Sequence, residues 1–246
     1  MVSAILAPRA SFGQSATELV ALGNQEHAAM RPVQALAHYE AAIALDSALA
    51  EALGNASRAV VDVAEQEKDA TRRKELFRRG EHYARRAVAA NPKSPEYQFD
   101  LARALGRTAL SVGVRDRIKY ATEIRGLALS ALALDPDHPG ALHVMGVWNA
   151  EVMRLNGMER FFAKNLLGGK VFSQANWKDA VSYMERAVAV DPVRLTHKLD
   201  LAKVYLDRDE KGKAREQLEA VVNGAVTDYN DPVYKTEAAA LLQKLK

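Results

Sequence analysis

Cysteine is absent from the 246-residue sequence, which excludes disulfides, thiolate zinc sites and a cysteine nucleophile. Aromatic residues make up only 7% of the chain while hydrophobic residues make up 48%, a balance that favours closely approaching helices. No apolar run approaches the roughly 18–20 residues that are needed to cross a bilayer. The formal net charge of +3 is too small to indicate a nucleic-acid partner by itself.

The sequence does contain a repeated phrase, in which one helix ends, the chain turns at Asp-Pro, Asn-Pro or Asp-Ser, and the next helix begins. Copies of this phrase lie at residues 39–60, 83–105, 127–148 and 183–205. Paired antiparallel helices in about 34 residues are typical of tetratricopeptide repeats. The sequence therefore predicts an all-α, tetratricopeptide-like α-α superhelix (a solenoid) of about five helical hairpins plus a C-terminal capping helix.

The predicted domain organisation is one superhelical domain over residues 16–246 with an inserted segment at residues 151–176. Residues 1–15 are expected to be a disordered leader or the remnant of a signal segment. The second helix of the third hairpin is expected to begin near Tyr120, and Asp231-Pro232 is expected to start the final helix, Val233–Lys246.

A segment in the fourth hairpin points to a family. The string HPGALHVMGVWNAEV at His138–Val152 resembles a signature of the regulator of microtubule dynamics family, in which an inserted helix follows. Further similarity lies at 55–59, 83–87, 119–134, 177–180 and 236–242, so that the resemblance covers roughly residues 50–246. Leu167–Lys170 departs from the family's usual Pro-Pro bend.

The resemblance implies a tetratricopeptide-like fold, a cytoplasmic location, and tubulin or microtubules as the partner. The frequent alanine and arginine residues suggest a bacterial member of the family, for which the microtubule role transfers poorly. The sequence lacks a nucleophile elbow, a zinc-binding helix and a cluster of paired carboxylates. We therefore expect a non-enzymatic protein-interaction scaffold with no cofactor and no metal site.

The first helices of the hairpins are expected to form a concave groove that binds an extended partner. By repeat phase, the predicted groove residues are Asn24, Arg58, Phe99, Arg103, Arg107, His143 and Lys203. Arginines in such a groove can pair with the carboxylates of an acidic peptide; the alternative is a solvated helix face with local ion pairs. His143 is also expected to pack near Trp148.

The most basic segment is predicted to carry a stripe on one helix. Its members are Arg72, Arg78, Arg79, Arg85 and Arg86. Such a stripe can bind acidic protein tails or an anionic membrane surface, whereas an ordinary exposed helix face balanced by Glu75 and Glu81 is the alternative. No aromatic residues interleave with these arginines to stack on bases, so no nucleic-acid partner is expected.

The insertion at residues 151–176 is too apolar for a free loop. Its predicted contact residues are Met158, Phe161, Phe162 and Phe172. It is expected to form one or two short helices that pack across the groove or on a neighbouring repeat; the alternatives are a lid, a dimer contact or a membrane-surface helix. A small-ligand pocket beneath it remains open, as does a second function in which an exported envelope assembly module uses this insertion.

Overall fold

The computed structural model describes residues 13–109, 112–155 and 171–245. Within these ranges it contains α-helices and one 3-10 helix and no strand. The helices are α1 (Ala16–Ala28), α2 (Pro32–Leu45), α3 (Ala50–Gln66), α4 (Ala70–Ala90), α5 (Pro95–Ala109), α6 (Val114–Leu134), α7 (Pro139–Arg154), the 3-10 helix Phe172–Gln174, α8 (Trp177–Val190), α9 (Leu195–Asp207), α10 (Lys211–Asn223) and α11 (Asp231–Lys244). The predicted all-α fold of tetratricopeptide-like hairpins is confirmed.

One predicted helix boundary needs correction, since α6 begins at Val114 rather than near Tyr120. Helix α11 begins at Asp231, where Asp231-Pro232 was expected to start it. Pro232 fits there because proline at the first turn lacks only an N–H that has no partner inside the helix. Most of the predicted leader, residues 1–12, and residues 156–170 of the insertion lie outside the described residues.

The contacts divide the chain into an N-terminal unit, Met1–Lys93, and a C-terminal unit, Ser94–Lys246. In the N-terminal unit α1 pairs with α2 and α3 pairs with α4. Ser15 begins α1 with a capping box, since its hydroxyl accepts from the N–H of Glu18 while that carboxylate accepts from the N–H of Ser15. The single domain predicted over residues 16–246 stays a prediction.

Small residues set the helix spacing in the N-terminal unit. A Cβ added at Gly23 would lie 2.4 Å from Cε1 of Tyr39, so only glycine admits this ring against α1. The ring is 2% exposed and belongs to the core of the unit. In the other hairpin, the Ser57 hydroxyl donates to the carbonyl of Gly80 at 2.9 Å.

The C-terminal unit contains three hairpins, α5/α6, α7/α8 and α9/α10, and ends with α11. Gly146 admits Met184, whose Cγ would lie 2.5 Å from an added Cβ. Helix α11 covers the apolar surface of the last hairpin, where Ala238 packs with Leu195 and Leu199. This arrangement matches the predicted capping helix, because α11 removes the last apolar face from water.

Candidate functional site

A cavity of about 350 Å³ opens on the N-terminal unit, on the face that its first helices share. It is lined by Asn24, His27 and Ala28 of α1, Tyr39 of α2, and Glu51, Asn55 and Arg58 of α3. Two of the predicted groove residues, Asn24 and Arg58, therefore meet at one site. Its size falls in the range typical of ligand sites.

Hydrogen bonds fix the side chain of Asn24 at the centre of this cavity. Its Oδ1 accepts from the hydroxyl of Tyr39 at 2.9 Å and from Nδ2 of Asn55 at 2.8 Å. Its Nδ2 lies 3.4 Å from Oε1 of Glu51. Because Oδ1 accepts two hydrogen bonds, the orientation of the Asn24 amide is fixed, and its nitrogen points towards the carboxylate of Glu51.

The cavity carries charges of both signs. Burial raises the pKa of Tyr39 to about 12; the positive charge of Arg58 opposes this rise and the negative charge of Glu51 adds to it. The phenol therefore stays neutral at physiological pH, and its hydroxyl donates a hydrogen bond to Oδ1 of Asn24. Nε2 of His27, which also lines the cavity, lies 3.2 Å from the buried carboxylate of Asp62.

The sequence did not single out Glu51 as a site residue, although a signal was present. Glu51, Asn55, Arg58 and Asp62 follow one another at spacings of four, three and four residues. Such spacing places all four on one face of a helix. A carboxylate at each end of this row was the sign that the face is not purely basic.

In the C-terminal unit, the predicted groove residue Phe99 serves packing. Its ring would lie 2.5 Å from a Cβ on Gly140, and its centroid is 5.1 Å from that of His138. Arg103 and Arg107 lie half-buried on the same helix, α5, and both contact other groups. All three predicted groove residues of α5 therefore make contacts within the chain, which the sequence did not indicate.

The remaining two predicted groove residues, His143 and Lys203, meet at Asp200. Nε2 of His143 lies 2.9 Å from Oδ2 of Asp200, and Nζ of Lys203 lies 3.0 Å from Oδ1. Lys203 also pairs with Glu237 of α11 at 2.9 Å. His143 and Lys203 are thus already paired with carboxylates of the unit itself.

The contacts of this network shift the pKa values of Asp200 and of the neighbouring His197. Burial raises the pKa of Asp200, but the hydrogen bonds and charges of His143 and Lys203 outweigh burial and hold that pKa well below its usual range. The ring of His197 stacks on His143 with centroids 4.7 Å apart. Burial, with the neighbouring charges of His143 and Arg194, lowers the pKa of His197 far below its usual range.

The expected packing of His143 near Trp148 is wrong. Residues five positions apart on an α-helix point about 140° away from each other. His143 therefore contacts α9, whereas the indole N–H of Trp148 donates to the carbonyl of Ala121 in α6 at 2.8 Å.

The structure divides the predicted basic stripe of α4 into two groups. Arg79 pairs with Glu40 of α2, and Arg86 donates to the carbonyl of Ser47 at 2.6 Å. The other three point elsewhere: Arg72 pairs with Glu67, Arg85 pairs with Glu81, and Arg78 is exposed. Two stripe residues thus hold α2 and α4 together, and three remain at the surface.

The end of the insertion packs on the C-terminal unit. Phe172 is 3% exposed and stacks on Trp148 with centroids 5.9 Å apart. The guanidinium of Arg125 lies 5.4 Å from the centroid of the indole ring and donates to Gln174. Of the predicted insertion contacts, only Phe172 can be placed, because Met158, Phe161 and Phe162 lie outside the described residues.

The described part of the chain holds neither a cluster of metal ligands nor a membrane-crossing helix. Within residues 13–109, 112–155 and 171–245, no group of three or more His, Asp or Glu side chains is placed to hold a metal ion. Over the same ranges, none of the helices combines the length and the apolar character that crossing a bilayer requires.

Comparisons with known proteins agree with the repeat pattern. A family model described as regulator of microtubule dynamics protein 1-3 matches residues 16–246. Regulator of microtubule dynamics protein 1 of Bos taurus is 29% identical over 196 residues, which are 79% of this chain and 61% of that protein. The corresponding protein of Caenorhabditis elegans is 26% identical over 172 residues, 70% of this chain and 75% of that protein.

The chain thus spans about three fifths of the length of the Bos taurus relative. Among solved structures, a tetratricopeptide-repeat protein of Thermus thermophilus is similar with a TM-score of 0.66. The match covers 92% of this chain and 100% of that one at 18% identity. This similarity shows the fold alone.

Proposed function

This chain belongs to the regulator of microtubule dynamics protein 1-3 family, and we propose that it is a non-enzymatic scaffold that binds a segment of a partner protein. The observation that carries the proposal is the cavity of the N-terminal unit, where three successive helices contribute hydrogen-bonding side chains around Asn24. Tetratricopeptide-like folds present their first helices to extended partners. The proposed contact is therefore this cavity and the adjoining first-helix face.

The C-terminal unit is proposed to contribute less to binding. Lys203 and His143 are held by Asp200, and Lys203 also by Glu237. A partner carboxylate would have to compete with these fixed internal carboxylates, so it would gain little. The acidic peptide expected for the whole groove is better matched by the exposed arginines of α4.

Helix α4 is proposed to steer acidic partners to the N-terminal unit. Arg72, Arg78 and Arg85 are exposed there, although Glu67 pairs with Arg72 and Glu81 with Arg85. An excess of like charge on a surface raises association rates with oppositely charged surfaces. The relatives are named for microtubule dynamics, so polymerised tubulin is the first partner to test. A tubulin partner would place the chain in the cytoplasm.

The scaffold is tested by affinity capture from the native organism with the wild-type chain and with Asn24→Ala/Asn55→Ala. We expect the double variant to lose specific partners, because it removes the central amide and its donor. The matched control is Lys178→Glu, an exposed change in the C-terminal unit. Capture that is equal for all three proteins would overturn the cavity as the binding site.

The steering role is tested by co-sedimentation with microtubules at low and moderate salt. Wild-type binding is expected to weaken as salt rises and to be lost in Arg78→Glu/Arg85→Glu. No wild-type co-sedimentation at low salt would remove tubulin as the partner while leaving the scaffold to the capture experiment. N-terminal sequencing of the mature protein tests the exported alternative, since an intact Met1 or Val2 counts against export.

A further inference from the structure

We infer that the cavity of the N-terminal unit selects a mixed-charge peptide segment, in which an acidic and a basic side chain flank the main-chain N–H and C=O of one residue. This inference rests on the proposed function and adds the chemistry of the partner segment to it. The groove arginines alone suggested a purely acidic peptide. The structure places the carboxylate of Glu51 in the same cavity as Arg58, so a segment that carries both charges matches it better.

The first step is the arrangement of charge along α3. Glu51 and Arg58 both line the cavity and are seven residues apart, which is about 10 Å along a helix. Both charges act on the hydroxyl of Tyr39 and in opposite directions, so the two ends of the cavity have opposite signs around a neutral floor. An extended peptide rises about 3.3 Å per residue, so opposite charges about three residues apart would meet both ends.

The second step concerns the middle of the cavity. Asn55 uses one N–H to bond Asn24 at 2.8 Å, and its side chain is only half-buried. A carboxamide also carries a second N–H and an acceptor oxygen. A donor and an acceptor side by side are the complement of the N–H and C=O of one residue in an extended chain, which point to the same side. Asn55 is therefore suited to bind the main chain between the two charged side chains.

The third step excludes partners of a single charge. A purely acidic segment would meet Glu51 at one end. A purely basic segment would meet Arg58 at the other end. Like charges brought together cost binding energy, and this repulsion provides specificity.

The experiment uses the full chain and three fluorescein-labelled peptides with blocked termini. Each contains Ser and Gly with two charged residues about three positions apart: Glu and Lys, two Glu, or two Lys. Anisotropy gives affinities, and the side-chain amide signals of Asn24 and Asn55 in nitrogen-15 NMR spectra report on the site. We expect the mixed peptide to bind the wild type on the order of fivefold more tightly than either other peptide, as one exposed ion pair gained or lost allows.

Single charge reversals should change this preference in predictable directions. Glu51→Lys makes both ends basic, so the peptide with two Glu should become the preferred one. Arg58→Glu makes both ends acidic, so the peptide with two Lys should become preferred. The matched controls are Glu219→Lys and Lys178→Glu, exposed changes in the C-terminal unit, which should leave the wild-type preference in place.

Three results would overturn the inference. These are equal binding of all three peptides, no binding of any of them, and a preference that stays the same in both reversals. None of these results would by itself overturn the proposed scaffold. That proposal is tested by the capture experiment, in which loss of captured partners in Asn24→Ala/Asn55→Ala would still support partner binding at this cavity. Circular dichroism of each variant verifies that the helices remain folded.

Discussion

The guanidinium of Arg186 donates to the carbonyl oxygen of Pro136 across 3.0 Å. Arg86 makes the same contact with Ser47 at 2.6 Å. Each acceptor lies two residues after the end of a second helix, α6 or α2, and each arginine lies on the next second helix. The same device therefore joins consecutive second helices in both units, with a cation at the negative end of a helix dipole.

The first prediction follows from this contact. Arg86→Ala should lower the free energy of unfolding by about 1 kcal/mol, because a charged donor to a backbone carbonyl is lost. Arg78→Ala, on the exposed side of the same helix, should change it by less than about 0.5 kcal/mol. Urea unfolding followed by circular dichroism measures both values. Equal effects of the two substitutions would show that Arg86 is an ordinary surface residue.

The second prediction concerns the close approach of α1 and α2. Gly23→Ala should destabilise the protein by about 1–3 kcal/mol, because the new Cβ would lie 2.4 Å from the ring of Tyr39. The ring must shift and its hydroxyl must move away from Asn24, so cavity binding should weaken too. Urea unfolding gives the change in stability, and the anisotropy assay gives the change in affinity.

The control for this substitution is Gly126→Ala in α6, where an added Cβ meets nothing within 4 Å. Alanine is favoured over glycine inside a helix by about 0.5–1 kcal/mol, so this variant should be more stable than the wild type. A stabilising Gly23→Ala would mean that the contact between Gly23 and Tyr39 is not tight.

Much of this fold could be predicted, because helix ends carry local signals. The stops at Asn91-Pro92 and Asp191-Pro192 gave the ends of α4 and α8 correctly. These stops depend on residues that are near one another in sequence, so periodicity and turn chemistry reveal them.

The candidate site was only partly predictable, because its charges are set by partners that are distant in sequence. His143 and Asp200 are 57 positions apart, and Asn55 and Asn24 are 31 positions apart. Repeat phase placed these residues on a common face but could not say which carboxylate neutralises which cation. The expected basic character of the groove was therefore too simple, since Lys203 already binds two carboxylates.

The third prediction is a loss of stability on mild acidification. The folded-state pKa of His197 is depressed, mainly by burial, whereas an unfolded histidine titrates near about 6.5. Below that pH the unfolded chain binds a proton that the folded chain excludes, so stability falls as pH falls, by up to about 1.4 kcal/mol per pH unit. The stability due to the neutral imidazole is fully present above this window.

Urea unfolding at a series of pH values from neutral down to about 5 measures how the free energy of unfolding changes with pH. The lower part of this range lies between the pKa values of His197 in the folded and the unfolded chain. His197→Gln removes the titrating ring and should flatten the curve, even if it lowers stability at neutral pH. Lys178→Glu is the control, because this exposed change should leave the slope unaltered. A glutamine variant with the wild-type slope would assign the pH dependence to another group.

The fourth prediction concerns the anchoring of the insertion. Phe172→Ala should destabilise the protein by about 3 kcal/mol, as expected for loss of a buried aromatic ring. It should also expose Trp148, whose ring is stacked on Phe172. The chain has two tryptophans, so Trp177→Phe leaves Trp148 as the single fluorescent reporter.

In that background, Phe172→Ala should shift the emission maximum to longer wavelength, towards that of a solvated indole. Phe172→Leu keeps most of the apolar volume and should shift the emission less. If the alanine variant emits at the same wavelength as its parent, other side chains shield Trp148 and Phe172 does not anchor the insertion.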